Sequence, residues 1–303
     1  MTDSSATFDG ALLGERYRLG PLIGSGGQGS THLAKDIETG QTVAVKVFHL
    51  NRAENWKGFE LFERECQVLR SLDHPGIPHY LAEYAENDRA RFYLVMEHIP
   101  GSTLDERSQH DGPLCEANLF SVLHDLLDIL EHLQSQNPVV VHRDIKPANI
   151  IAQPNGRLVL VDFGGVRNRL QSGLGSTVVG TFGYLAPEQL HGEATPATDI
   201  YSLGATLVAL GSGMEPEHIT RKGLRMELSK HLTLSRPFLR ILHQMVAPDP
   251  EERPLSAVAL RSLLLSEDLG PTGGLHTRPE PPEAPRALLS PSTEKNALTK
   301  GAP

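Results

Sequence analysis

The chain has 303 residues, 39% of them apolar and 21% charged, enough to bury a sizeable core and, by usual domain size, to form two structural units. Its formal charge of −9 counts against nucleic acid or an anionic membrane as the main partner. Two cysteines without a CxxC pair exclude a disulfide framework or zinc-finger pattern, and the absence of a signal-peptide pattern or of any apolar run near the ~18 residues that span a bilayer leads us to expect a soluble, cytoplasmic chain with no membrane anchor.

The first part reads as strands around one helix. Tyr17–Ile23 is rich in strand formers, and Thr42–Phe48 alternates, with Val43, Val45 and Val47 on one face and Ala44 and Lys46 on the other. Residues 55–72 place Phe59, Phe62, Cys66, Leu69 and Leu72 at helical spacing, and His74-Pro75-Gly76 closes that helix. Arg91–Met96 is a further strand. From Leu114 onward helices dominate: Leu119, Leu123, Leu126, Leu130 and Leu133 form one stripe, residues 199–210 are apolar on most faces, and residues 238–246 make a shorter amphipathic helix. A β-rich part followed by a larger helical part predicts an α+β fold of two lobes joined near residues 97–101. After about residue 266 the composition shifts. Pro271–Pro303 holds seven prolines and no sustained periodicity, which predicts a disordered tail; the minority reading is a proline-rich docking segment.

Several strings carry chemistry. Gly24-Ser25-Gly26-Gly27-Gln28-Gly29 directly follows a strand. A dinucleotide site uses the same spacing but needs a helix next, whereas here Thr39-Gly40 turns into a second strand, so a hairpin closing over phosphates fits better. Lys46 ends that strand, and by itself would be an ordinary strand-end charge. It shares a face with Ala44, small enough to admit a flat base. Glu65, on the apolar face of the following helix, would need a cationic partner there, and Lys46 is available. His142-Arg143-Asp144-Ile145-Lys146-Pro147-Ala148-Asn149 concentrates polar groups with no obvious core role. Asp162-Phe163-Gly164 and Ala186-Pro187-Glu188 follow at fixed intervals.

In type, order and spacing these strings match the protein-kinase signature set. The chain resembles the eukaryotic-type serine/threonine protein kinases, in their bacterial branch, over about residues 17–265. The resemblance implies an N-terminal extension (1–16), a bilobal catalytic domain with an N-lobe (17–97), hinge (98–101) and C-lobe (102–265), and the tail (266–303). It implies ATP and Mg²⁺ as cofactors, with Mn²⁺ as a substitute. Lys46 would hold the α- and β-phosphates, oriented by Glu65; Asn149 and Asp162 would ligate the metal; Asp144 would position the acceptor hydroxyl and take its proton, with Lys146 beside the γ-phosphate. The nucleotide would lie against Ile23, the six residues from Gly24 to Gly29, Thr31 and Ala44, with Met96 as gatekeeper and backbone groups of Glu97 and Ile99 on adenine. Leu69, Tyr80, His142 and Phe163 match the stacked spine between lobes.

Lys146 and Thr181, the latter implied to contact Asp144 and Lys146, resemble serine/threonine rather than tyrosine kinases. Arg143 before the catalytic aspartate implies an activation segment ordered by phosphate, with Thr177 first and Ser176 second as autophosphorylation sites; the bland reading of that run is a flexible polar loop. Glu188 and Arg253 match an anchoring ion pair, and Asp199 a brace for the catalytic loop. The implied partners are proteins with serine or threonine acceptors and a pair of chains for autophosphorylation. Three departures stand out: Thr31 replaces an apolar residue over adenine, Gly165 adds a second glycine and with it an expected mobility, and residues 211–236 lack the usual turn and carry a basic run. The alternative is a pseudokinase scaffold, against which the presence of Lys46, Asp144, Asn149 and Asp162 counts.

Overall fold

The computed structural model describes residues 8–26, 29–49, 55–86, 91–168 and 183–267. Within them, β1 (Leu12–Leu13), β2 (Tyr17–Gly26), β3 (Gly29–Asp36), β4 (Thr42–His49), β5 (Tyr80–Glu86) and β6 (Arg91–Glu97) form one antiparallel sheet in the order β1-β2-β3-β4-β6-β5. The alternation in β4 divides two packing layers. Val43, Val45 and Val47 pack with Tyr17, Ala34, Tyr93 and Val95 on one face. On the other, Phe48 joins Phe62, Cys66, Leu69 and Leu72 of α1 (Asn55–Ser71), with Phe48–Phe62 and Phe62–Phe92 ring centroids 5.3 and 5.2 Å apart. Each such fully buried side chain contributes about 1.5–3 kcal/mol, which is how a short amphipathic helix is held on a sheet.

The remaining elements are mostly helical. β7 (Ser102–Thr103) leads into α2 (Leu104–Asp111), whose first turn is closed by a capping box: Thr103 Oγ1 accepts from Glu106 N, and Thr103 N donates to the Glu106 carboxylate. In α3 (Glu116–Gln134) all five leucines of the stripe are buried. β8 (Val140–Val141) pairs with β11 (Arg167–Asn168), and β9 (Ile150–Ala152) with β7 and with β10 (Leu158–Leu160). Every residue from Ala197 to Leu210 of α4 (Pro196–Ser212) is buried. A small hairpin, β12 (Arg221–Lys222) and β13 (Arg225–Met226), precedes α5 (Arg236–Met245) and α6 (Ala257–Ser266).

Three boundaries differ from the sequence pattern for local reasons. β2 runs through Gly24-Ser25-Gly26 because β3 pairs back on it, Gly26 opposite Gly29. α5 begins two residues before Phe238, since the Ser235 hydroxyl accepts from Phe238 N and Pro237 suits a first turn. Gly165, expected to loosen the chain, is instead buried in a 3₁₀ turn over Phe163–Gly165. The proline-rich tail, Gly27, Gln28, Ser176, Thr177 and Thr181 lie outside the described residues.

Candidate active site

Strand β4 carries Lys46 to the face of the sheet that meets α1. Register sets Lys46 opposite Thr31 of β3 and Leu94 of β6, and Ala44 opposite Leu33 and Met96. One α1 turn past Phe62, Glu65 is 1% exposed, and both its oxygens accept from Lys46 Nζ at 2.9 Å. The same Nζ donates to Asp162 Oδ1 at 2.6 Å. Burial opposes the ammonium charge, but the two carboxylates outweigh it and hold Lys46 above its ordinary range. Burial likewise opposes the Asp162 charge, and Lys46 outweighs it, so that carboxyl stays below the usual range. For Glu65, burial pushes the carboxyl up against the pull of Lys46.

The glycine hairpin lies alongside. Ile23, at the end of the apolar run of β2, is half exposed at 49%, as a residue facing an open cleft is. Gly24 faces Thr31 and Ser25 faces Ser30 in register. Gly29 has φ near +150°, and a Cβ there would lie 2.0 Å from the Val47 carbonyl oxygen, so no larger residue fits where the hairpin returns to β4. At the far edge, Met96 and Glu97 end β6, and Ile99 is buried just beyond. Glu97 N donates to His79 O at 2.9 Å, and its carboxylate lies 2.7 Å from His79 Nδ1, which fixes the strand end.

A second cluster sits on the loop between β8 and β9. Asp144 Oδ2 accepts from Lys146 Nζ and from Asn149 Nδ2, both at 3.0 Å, and Asn149 Nδ2 also donates to Asp144 O at 2.8 Å. With the amide hydrogens committed to Asp144, the amide oxygen is the Asn149 atom left for a cation. Together with the Asp162 carboxylate this is a hard oxygen donor pair, which suits Mg²⁺ or Mn²⁺ rather than a soft metal. Residues 147–149 form a 3₁₀ turn whose Asn149 N donates to Lys146 O, so the spacing between Asp144 and Asn149 is set by one tight turn.

The loop is braced from below. Asp199, in the first turn of α4 and fully buried, accepts from His142 N and Arg143 N at 2.8 Å each. Burial raises its carboxyl to about 6 despite those two donors. His142 packs edge-on against Phe163, centroids 4.8 Å apart, and burial pushes its pKa down to about 4, so the ring is neutral. Phe163 belongs to the same core cluster as Leu69, with Tyr80 packed against it, which links the sheet-bearing and helical parts through apolar contact. Arg143 and Asp162 adopt positive φ, 72° and 65°, a strain that non-glycine residues sustain only where surroundings dictate it. Arg143 Nη1 donates to Gly165 O at 3.4 Å, which tethers the second glycine.

Residues that the sequence did not single out complete the brace. Gln189 Nε2 donates to Arg143 O and its Oε1 accepts from Ala186 N, both at 3.0 Å. Thr206 Oγ1 donates to Ser202 O at 2.8 Å with Ile145 O 3.4 Å away, and Ser202 Oγ donates to Tyr184 O at 2.9 Å. Only their polarity inside a buried helix or turn could have flagged them. Glu188 and Arg253 meet in a buried bidentate pair at 2.7 and 2.9 Å.

A glycine hairpin, a lysine shared by two carboxylates and a loop aspartate beside a lysine and an asparagine are the parts of a phosphoryl-transfer site. The protein kinase domain family matches residues 17–264, and the chain belongs to that family. It is 36% identical over 265 positions to serine/threonine-protein kinase B of Synechocystis, covering 81% of this chain and 45% of that protein. It is 32% identical to serine/threonine-protein kinase PknB of Mycobacterium tuberculosis, covering 96% and 47%, and 33% identical to serine/threonine-protein kinase PknA of Nostoc, covering 86% and 48%. The chain thus spans about half the length of the curated relatives it matches. Among the described residues, no helix is long and apolar enough to cross a membrane.

Proposed function

We propose that the chain transfers the γ-phosphoryl group of ATP to serine or threonine hydroxyls of proteins. The observation that carries this reading is Lys46 held between Glu65 and Asp162, across the junction of the sheet and the helical part, within reach of a cleft lined by the glycine hairpin. Lys46 grips the α- and β-phosphates while Glu65 keeps its ammonium aimed. Asn149 and Asp162 would hold Mg²⁺ or Mn²⁺, which would supply positive charge against the negative charge developing in the transition state. Asp144 accepts a hydrogen bond from the acceptor hydroxyl, orients it in line, and takes its proton as the bond to phosphorus forms. Lys146, already 3.0 Å from Asp144, places a second cation beside the transferred group. A loose phosphoryl-transfer transition state needs alignment and positive charge more than covalent chemistry, and the cluster supplies both.

Backbone groups of Glu97 and Ile99 receive adenine, with Ile23, Ala44 and Met96 as its apolar walls and Thr31 beside them. Asp199, Phe163, Glu188 and Arg253 hold the loop and the segment after it. Arg143 sits where a phosphate on Thr177, or on Ser176, would order the intervening segment, and one copy of the chain phosphorylates another there. Mass spectrometry after incubation with Mg-ATP should find phosphate on Thr177; none on either residue would remove this part of the proposal.

The decisive assay is transfer of radiolabelled phosphate to myelin basic protein by wild type and by Asp144→Asn. A loss of about 10²–10⁴-fold is expected, since the substitution removes the base and the negative charge that Lys146 pairs with. Equal incorporation by both would refute the reading.

A further inference from the structure

Charge is distributed unevenly in this chain. Residues 218–243 contain six Lys or Arg against one Glu, a local charge of +5 in a protein whose total is −9. The β12–β13 hairpin gathers part of this excess around a cavity of about 390 Å³ lined by residues 225–230 together with Lys222 and His243, so that three cations and one carboxylate, Glu227, border it. Its floor is apolar, Met226 and Leu228 being buried, while Leu224 at the hairpin turn is 71% exposed. Glu252 engages Arg225 and Glu227 engages Lys230. Among the described residues Lys222 has no carboxylate partner, and Arg221 donates only to the carbonyls of Leu224 and Pro216.

The hairpin is mechanically continuous with the segment leading to Ala186-Pro187-Glu188. Arg221 Nη2 holds Pro216 O at 3.3 Å. Pro216 and Glu217 lie beside Gly183, close enough that an added Cβ there would lie 3.2 Å from Glu217 N. The neighbouring Glu215 accepts from the Tyr184 hydroxyl at 3.0 Å. A partner seated on the hairpin is therefore fixed relative to that segment.

We infer that this hairpin and its cavity form a docking site for an acidic peptide segment of the protein substrate, its carboxylates on Arg221 and Lys222 and an aliphatic side chain against Leu224 and the Met226–Leu228 floor. The inference rests on the kinase reading, which it deepens by naming a substrate feature. A peptide is favoured over nucleic acid or an anionic bilayer because charges interact over only about 8 Å at physiological salt. A short segment meets Arg221 and Lys222, which have no carboxylate partner among the described residues, while Arg225, Lys230 and Arg240 are paired with Glu252, Glu227 and Glu267. An extended polyanion also meets the acidic remainder of the chain.

The full chain is titrated by fluorescence anisotropy with a fluorescein-labelled peptide alternating glutamate and leucine. A lysine–leucine peptide, duplex DNA and phosphatidylserine vesicles serve as the comparison ligands. The acidic peptide should bind, weaken with added salt, and lose on the order of tenfold in affinity with Lys222→Glu, a substitution that puts like charges together. Leu224→Ser, also at an exposed position, should weaken binding severalfold. Fusing the acidic segment to an acceptor peptide should lower KM for wild type and not for Lys222→Glu, with kcat unchanged for both. Equal binding by wild type and Lys222→Glu, or preference for DNA or vesicles, would overturn the docking site. Failure of wild type to phosphorylate the unfused acceptor would instead overturn the kinase reading, because the binding measurement needs no turnover.

Discussion

The Glu188–Arg253 pair makes a severe test of how the lower part of the site is held. Arg253 uses all its donors: Nε on Ala247 O at 2.7 Å, Nη1 on Glu188 Oε1 at 2.7 Å and Ala197 O at 3.2 Å, and Nη2 on Glu188 Oε2 and Pro248 O at 2.9 Å. Its plane lies 4.8 Å from the centre of the Tyr201 ring, and its side chain is 0% exposed. Glu188→Gln keeps the shape but leaves a buried guanidinium without its counter-charge, and sets an NH₂ group against one of the Nη groups. Breaking a buried pair in this way costs about 3–5 kcal/mol. Arg253→Met strands the Glu188 carboxylate, left with the Thr198 hydroxyl at 2.9 Å, together with three carbonyls, at a similar cost. The double substitution Glu188→Gln with Arg253→Met removes both charges, so its cost should fall well below the sum of the single variants. Urea unfolding of the four proteins measures each value as a displaced midpoint at constant slope. At about 2–4 °C per kcal/mol for a domain of this size, each single variant should melt at least about 6 °C lower. Single-variant costs below about 1 kcal/mol, or strict additivity, would show that the pair is not a closed, desolvated unit.

Two further predictions concern the upper part and the loop. Lys46→Met should cost at least about a hundredfold in kcat/KM in the transfer assay. It should also raise the Glu65 pKa further, measurable by NMR of a ¹³C-labelled carboxyl, because the residue is buried and loses the Lys46 ammonium that both its oxygens accept from. His142, pushed down to about 4 by burial, contributes stability that is fully present above its unfolded pKa of 6.5 and is lost as pH falls towards 4, at about 1.4 kcal/mol per pH unit. Asp199, raised to about 6, acts with the opposite sign: its contribution is present below 3.8 and lost as pH rises through 6. Relative to wild type, His142→Leu should therefore lose stability progressively as pH rises from 4 to 6.5, since it keeps the Asp199 contribution and lacks that of His142. A variant curve parallel to wild type would show that His142 does not titrate as its burial requires.

What could be read from the sequence follows from how tightly chemistry constrains residue type. A carboxylate on the apolar face of a helix demands a cation, so Glu65 and Lys46 could be paired from helical phase and strand alternation alone, and the structure joins them at 2.9 Å. The antiparallel return of the glycine strand was legible because no helix pattern follows it. The strap between His79 and Glu97 was not, because half of it is a backbone bond that leaves no residue signature. The β12–β13 hairpin was hidden by its size: two-residue strands show no alternation, and the segment registered only as a basic run. α2 and α6 were missed although their starts are written in the chain. Thr103 and Glu106 form the capping box of one, and Ser256, whose hydroxyl accepts from Ala259 N, caps the other.

The buried charges divide into two kinds, and the division separates groups that act from groups that hold. Glu188, Arg253 and Asp199 are closed: each is sealed from solvent and has its hydrogen-bonding partners within the fold. Exchanging such partners would require breaking the core, so these groups can only fix geometry. Lys46, Asp144, Lys146 and Asp162 are bound to one another as tightly, at 2.6–3.0 Å, yet the side chains of Asp162, Lys146 and Asp144 remain 43%, 21% and 13% exposed. Water can compete for them, so incoming phosphate oxygens or a cation can as well, and trading one charged partner for another costs far less than creating an unpaired charge. In the proposed mechanism the exposed Asp162 is the partner Lys46 would exchange for phosphate, leaving its carboxylate for the cation, while Glu65, 1% exposed, would keep its grip. A kinase site built this way exchanges charged partners at the edge of the core and keeps the geometry with groups sealed inside it.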